Sequence, residues 1–559
     1  MLSTPQGETP MADSAANSAS MRTIVAASSA GTAFEWYDFF IFGSLATLIG
    51  KLFFANLNET TGVIFALGVF GAGFLFRPVG ALVFGWVGDR MGRKGAFLVT
   101  VSLMGLATLA VGLLPTYAQA GITAPILLLV MRLIQGFALG GEYGGAAVYV
   151  GEHAPERRRG EYTGWVQVSA SFGLIGALGV IFVTRSLVGQ DAFNAWGWRV
   201  PFFFSAFLLA ISLWMRLKLS ESPAFKRMEA EGGRSRAPLA ESFGTWRYLK
   251  IVLIALFAIM VAQGLVWYTV FFYLQTFMER ILKVDPNTVT LLVLAATLIS
   301  APLYVLFAKL SDRIGRKPVM LFGMALAVLF LIPGSHLLTG FANPALAAAN
   351  ERTPVVVVAD PRRCALQFDP VGKTQFTSSC DIAKSVLANA GVSYANQAAP
   401  AGAVAAVKVG GASIPSAEGS GLPPAKFKAL QAQVAGRIKA ALKAAGYPDK
   451  ADPAAVNFWG LLAVMTVLVV AATALYGPIA ACLVELFPTR IRYTAMSLPY
   501  NIGTGWVGGF VPFVSFAMVV ANGGAYFGLW YPVIGTAVSF LIGLVFLPET
   551  QGRDLERAD

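Results

Sequence analysis

Five ionisable residues stand inside long apolar runs: Glu35, Asp38, Arg77, Arg132 and Glu142. Charge at membrane depth is costly, so such residues mark binding, ion pathways or proton relays. Glu35 follows Arg22 by 13 residues, Arg77 precedes Asp89 by 12, and Glu142 precedes Glu152 by 10. At about 1.5 Å per helical residue, these three share one layer roughly 15–20 Å in from one face, with Asp38 and Arg132 further out. Glu35 and Asp38 share a helix face at i,i+3, and Arg132, Gln135 and Glu142 share another approximately. Fully ionised, the group holds three negative and two positive charges, and burial then favours protonating one carboxyl. That is what a proton-coupled carrier needs. The proton is assigned to Asp38 first and Glu35 second, with Glu142 as the alternative. Arg77 and Arg132, as two buried cations, point to an organic anion, a mono- or dicarboxylate. A zwitterionic osmolyte is the rival, and static pairing between spans is the plain structural alternative. His153 falls in a loop and His336 near a span end, so neither histidine competes for the proton.

The elements that hold these residues are membrane helices. The 559 residues are 56% hydrophobic and 13% charged, too apolar for a soluble chain of this length. The apolar runs predict spans near 23–50, 62–88, 95–115, 123–150, 161–185 and 198–217. A second set falls near 250–279, 286–308, 318–340, 456–484, 493–521 and 525–547. Arg90, Arg93, Lys94, Arg157, Arg158, Arg159, Lys309, Arg313, Arg316 and Lys317, with the basic linker 218–249, all fall on one side. By the positive-inside rule that side is cytoplasmic, and so are both termini. The net charge of +12 lies mainly in these loops and does not imply nucleic acid. Residues 1–20 have no apolar core and do not read as a cleaved signal peptide. No ligand-spaced Cys/His set suggests a metal, no nucleophile–base pair suggests an enzyme, and no cofactor is expected beyond protons.

The chain also repeats itself. Gly85-Trp86-Val87-Gly88-Asp89-Arg90-Met91-Gly92-Arg93-Lys94 returns 223 residues later as Ala308-Lys309-Leu310-Ser311-Asp312-Arg313-Ile314-Gly315-Arg316-Lys317. Glycines allow a tight turn, and the carboxylate can cap a helix N-terminus or pair with an arginine. Tyr143-Gly144 and Glu152-x-x-Pro155 return as Tyr476-Gly477 and Glu485-x-x-Pro488, offset by 333. The offsets differ by 110, so the second half carries an insertion, placed by composition at 341–455. It has a strand pattern at Val355–Val358 and a helix over Lys426–Lys443, with Phe427, Leu430, Val434, Ile438 and Leu442 on one face. We expect a small extracytoplasmic domain in which Cys364 and Cys380 can pair. Gly140-Gly141 and Gly144-Gly145 read as close helix packing rather than a phosphate loop.

The duplicated turn resembles the loop signature of the major facilitator superfamily. Glu35-Trp36-Tyr37-Asp38, Phe76-Arg77-Pro78-Val79-Gly80, Arg132-Leu133-Ile134-Gln135-Gly136, Trp198-Arg199-Val200-Pro201-Phe202, Glu221-Ser222-Pro223 and Pro548-Glu549-Thr550 resemble the metabolite:H+ symporter family. The resemblance covers 24–340 and 456–553. It implies an all-α membrane fold of twelve helices in two six-helix bundles, 23–217 and 250–547, working by alternating access. It implies proton symport of carboxylates such as citrate, 2-oxoglutarate or shikimate, or of zwitterions such as proline and betaine. Residues 1–22 and 548–559 would be cytoplasmic tails in a bacterial inner membrane, and the carrier a monomer in lipid. Span 1 would line the central cavity. Arg77, Arg132, Gln135 and Tyr37, facing Gln263, Trp267, Tyr268, Tyr476 and Asn501, would bind substrate. Gly85, Asp89, Arg90, Gly92, Arg93, Glu152, Asp312, Arg313, Gly315, Arg316 and Glu485 would form the conformational gate. A channel or a receptor would leave the buried charges and the twin turns unexplained.

Overall fold

The structure is a computed structural model and describes residues 10–54, 59–217, 223–231, 235, 237–365 and 377–555. Lys218, Glu221, Ser222, Arg234, Arg236 and the side chains of Arg22 and Arg93 lie outside the described parts.

The first bundle consists of α1 (Pro10–Ser44), α2 (Glu59–Met91), α3 (Arg93–Leu113), α4 (Thr123–His153), α5 (Arg159–Val188) and α6 (Val200–Leu217). The second begins with α7 (Trp246–Ile281), α8 (Pro286–Ile314) and α9 (Arg316–Ala342). Eleven helices among the described residues are long and apolar enough to cross a membrane, and α1 completes the first bundle. α1 starts well before residue 23, because nothing between Pro10 and Arg22 breaks a helix. The linker is not featureless either: it holds short helices at Pro223–Ala230 and Pro238–Gly244.

Glycines let α2 and α4 cross backbone to backbone. A Cβ at Gly136 would collide with the Gly73 carbonyl, and one at Gly80 with that of Phe137. With no hydrophobic drive between helices in lipid, this close approach is what binds them.

The insert folds. It comprises α10 (Pro344–Arg352), α11 (Ser379–Asn389), α12 (Pro424–Ala444) and four strands: β1 (Val355–Ala359), β2 (Tyr394–Ala398), β3 (Ala406–Val409) and β4 (Ala412–Pro415). The sheet order is β2-β1-β3-β4, with β1 parallel to β2 through α11 and the other pairs antiparallel. Val355, Val357, Ile382, Leu387, Val407, Val434, Ile438 and Leu442 are buried together as its core. Cys364 and Cys380 form a disulfide with Cα atoms 5.2 Å apart. After the insert the second bundle closes with α13 (Phe458–Leu486), α14 (Arg492–Asn522) and α15 (Trp530–Phe546).

The insert is tied to the ends of α7 and α14 remote from the duplicated turns. Tyr394 donates its backbone N–H to the Gly523 carbonyl at 2.9 Å and its hydroxyl to that of Val520. Lys384 donates to the Ala521 carbonyl at 2.9 Å, and Lys283, just past α7, to that of Asn389. These bonds occupy carbonyls that a helix end leaves unsatisfied.

Candidate functional site

The duplicated turns lie at one end of the two bundles and build matching latches. Asp89 ends α2 and accepts the backbone N–H groups of Tyr493 and Thr494, at 3.3 and 2.8 Å, at the N-terminus of α14. Asp312 ends α8 and accepts those of Gly160 and Glu161, at 2.8 and 2.7 Å, at the N-terminus of α5. Each carboxylate therefore caps a helix of the opposite bundle, where the positive end of the dipole favours it. Gly92 and Gly315 follow with φ of 112° and 105°, a region that disfavours side chains. Gly85 lets α2 approach α14, since a Cβ there would meet Thr494.

Buried ion pairs reinforce both latches. Arg492 meets Glu152 at 2.8 Å, and Arg159 meets Glu485 at 2.9 Å, all four fully or almost fully buried. Arg316 adds contacts to Glu485 at 3.1 Å and Asp312 at 2.6 Å in the second latch. Thr550 donates to Glu485 at 2.9 Å, and Glu549 accepts the N–H of Arg316 at 2.9 Å. Arg90 lies over the Trp86 ring and, like Arg313, is exposed rather than bonded across the bundles. Sequence reading missed Arg159, Arg492, Glu549 and Thr550 as partners in these contacts. The signal was present for two of them, because Arg159 and Arg492 stand at the same offset of 333 as the Tyr-Gly echo.

Deeper in, rings from both bundles fill the interface. Tyr143 of α4 stacks on Tyr500 of α14 at 3.7 Å and 6°, and the Tyr476 and Tyr500 hydroxyls are 2.8 Å apart. Gln167 donates to Tyr143 at 2.6 Å, and Trp267 donates to Tyr304 at 2.8 Å. Trp36 packs on Trp267 at 5.7 Å, Phe40 stacks on Phe272 at 6.0 Å, and Phe74 meets Tyr268 edge-on at 5.9 Å. Arg77 lies in this cluster, its guanidinium 4.5 Å from the Phe74 ring centre and 5.3 Å from that of Phe39. A Cβ on Gly505 of α14 would lie 3.5 Å from its Cδ. Asn501 donates across the bundles to the Gly140 carbonyl at 2.8 Å, and Gln263 is buried with an unpartnered oxygen.

The remaining expected site residues face elsewhere. Arg132 donates to Gln135 at 2.7 Å and lies 4.2 Å from the Phe42 ring centre, back within the first bundle. Gln135 donates to Thr108 at 2.8 Å, and Thr108 donates to the Met104 carbonyl at 3.0 Å. Glu35 and Asp38 line a space between α1, α3 and α6, not the cleft between bundles. On α1 it is Trp36 and Phe40 that reach the other bundle, and carboxylates at neighbouring positions necessarily turn away from it. Glu142 accepts from Thr100 at 2.6 Å, inside the first bundle. Tyr37 donates to the Pro201 carbonyl at 3.0 Å, a structural contact to α6 rather than a cleft-facing group.

Two bundles, paired latches at one end and a ring-lined interface define a major facilitator transporter. Its fold matches a proton:xylose symporter of that superfamily with a TM-score of 0.63 at 15% identity, covering 97% of this chain and 99% of that one. A family model described as sugar (and other) transporter matches residues 23–245, 225–350 and 438–559, and the chain belongs to that family. The stretch left out, between 350 and 438, falls within the insert.

Among its relatives is a glycine betaine/proline/ectoine/pipecolic acid transporter of Dickeya dadantii, 33% identical over 330 residues, 57% of this chain and 64% of that one. A proline/betaine transporter of Salmonella typhimurium is 33% identical over 323 residues, 56% and 64%. A putative proline/betaine transporter of Staphylococcus aureus is 36% identical over 312 residues, 55% and 66%. The match thus spans just under two thirds of these relatives' lengths.

Proposed function

We propose that this transporter takes up a small zwitterionic osmolyte of the betaine or proline class, coupled to protons, by alternating access in a bacterial inner membrane. The observation that carries the reading is Arg77 set among aromatic rings drawn from both bundles. A guanidinium holds a carboxylate through charge-assisted hydrogen bonds, and ring faces attract a substituted ammonium. One cation with an aromatic surround matches a substrate with one charge of each sign. The organic-anion expectation needed both arginines in the cleft, and Arg132 instead donates to Gln135 and packs on the Phe42 ring of the first bundle. The printed names of the relatives favour the same substrate class.

The coupling proton is placed on Asp38, with Glu35 beside it. Asp38 directly precedes Phe39 on α1, and the Phe39 ring lies 5.9 Å from Arg132, which donates to Gln135, and 5.3 Å from Arg77. Protonation of Asp38 removes a negative charge one residue from Phe39, whose ring meets both arginines at the wall of the substrate cleft. Substrate at Arg77 and proton at Asp38 then favour the same rearrangement of the first bundle. Opening the latch end requires Asp89 and Asp312 to release the helix N-termini they cap.

Proteoliposomes with an acid outside and no sodium test the proposal. Radiolabelled betaine or proline should accumulate and be displaced by other betaines, not by citrate or shikimate. Saturable accumulation of a carboxylate that betaine does not inhibit would restore the organic-anion reading.

A further inference from the structure

The space beside Asp38 is a site in its own right. Gly31, Phe34, Glu35 and Asp38 of α1, Val101, Met104 and Gly105 of α3, and Ser205, Leu208, Leu209 and Ser212 of α6 line it, leaving it open on part of its boundary. It measures about 10 Å3, room for one water-sized occupant. Two oxygens at this lining have no hydrogen-bond partner: Oδ1 of Asp38, in a residue 5% exposed, and Oγ of Ser212, 1% exposed. Buried polar atoms of that kind cost free energy unless something binds them.

Among the described residues no basic side chain lines the cavity. The other described charged groups of this bundle away from the helix ends are Arg77 on α2 and Arg132 and Glu142 on α4, while Lys94 at the start of α3 donates to the Leu217 carbonyl at 2.9 Å. Arg77 faces the ring cluster, Arg132 holds Gln135, and Glu142 holds Thr100. Among the described residues Asp38 has no ion pair, and its Oδ1 has no hydrogen-bond partner.

We propose that this cavity binds one small monovalent cation, sodium, on Asp38, Glu35 and the hydroxyls of Ser212 and Ser205. Carboxylate and hydroxyl oxygens are hard ligands and suit a hard ion. A divalent ion fits poorly. Calcium takes six to eight oxygens and magnesium keeps several waters, whereas the rest of this wall is Phe34, Val101, Met104, Leu208 and Leu209. Sodium and the coupling proton compete for the same carboxylates, so the site gives the carrier a second ion to which it responds. The inference rests on the carboxylates placed in the proposed function but not on which osmolyte is carried.

Equilibrium measurements on the purified full-length protein, with no substrate present, separate this from a failed transport reading. At pH 8.5 and constant ionic strength, replacing choline chloride by sodium chloride should raise the melting temperature saturably, and potassium should do so much less. At pH 5.5 the sodium effect should largely vanish, because protons occupy the carboxylates. Ser212→Ala should raise the half-saturating sodium concentration several-fold while leaving the melting temperature in choline within a degree or two. Asp38→Asn should abolish the response. Equal stabilisation by sodium, potassium and choline at pH 8.5 would overturn the proposal. So would a larger effect of calcium or magnesium, or a full sodium response in Asp38→Asn. Betaine uptake in sodium-free buffer reports on the transport reading alone.

Discussion

The carboxylate of Asp89 at the end of α2 receives the backbone N–H of Thr494 on α14 at 2.8 Å, joining the two halves of the chain across 405 positions of sequence. Asp312 makes the equivalent bond to Glu161 at 2.7 Å. The repeated turn thus works reciprocally, each half capping a helix of the other.

Asp89→Asn and Asp312→Asn should each loosen the closed latch. Losing a carboxylate at a helix N-terminus costs about 0.3–2 kcal/mol, which shifts the balance of open and closed forms up to roughly thirtyfold. A cysteine introduced near Gly144 should label faster with a membrane-impermeant maleimide applied from the latch side. Unchanged labelling in both variants would show that the caps do not hold the latch.

Glu485→Gln should destabilise the protein markedly. Glu485 balances two buried guanidiniums, Arg159 and Arg316. Removing one partner of a buried pair typically costs about 3–5 kcal/mol. The melting temperature in detergent should fall well below that of the native protein. An unchanged melting temperature would count against the buried pairs as a stabilising contact.

Trp267→Ala should weaken betaine binding about tenfold or more, since a desolvated cation–π contact contributes roughly 2 kcal/mol. Trp267→Phe should retain much of it. Arg77→Gln should weaken binding more severely, because truncating a buried charged partner costs about 2–5 kcal/mol. Competition binding at one pH checks all three. Equal affinity in Trp267→Ala and native protein would remove the aromatic site.

Asp38→Asn should keep counterflow and lose pH-driven accumulation, as a permanent imitation of the protonated carboxyl. Glu142→Gln should keep both, because Glu142 is held by Thr100 inside the bundle. Accumulation surviving in Asp38→Asn and lost in Glu142→Gln would transfer the proton to α4.

Deleting roughly 345–452 should leave counterflow intact, since both internal echoes lie outside it. Yet the insert bonds the ends of α7 and α14, so the deletion should lower the melting temperature. Lys283 adds a pH signature. Burial pushes its amine down from the ordinary lysine range to about 8. Between about pH 8 and the ordinary lysine value the unfolded chain binds more protons than the folded one, so this contribution makes stability rise with pH. The melting temperature of Lys283→Met should lack that rise. An identical pH dependence in the two proteins would place the titration elsewhere.

The sequence by itself determined the class of molecule. Apolar runs at helix length can only be membrane spans, and two echoes at different offsets reveal both the duplication and an insertion. The spacing of the buried charges along their helices also followed, because rise per residue is fixed by helix geometry. What it did not determine is azimuth. A helix turns about 100° per residue, so Trp36 and Asp38 are near in sequence yet face a partner bundle and an internal cavity. Only the packing of α1 against α3, α6 and α7 chose which face looks where. That choice moved the carboxylates out of the cleft, set Arg132 against Phe42 and left Arg77 among the rings. The helix N-termini that Asp89 and Asp312 cap were equally invisible, since their donors are backbone groups of distant segments, present in every residue type but proline.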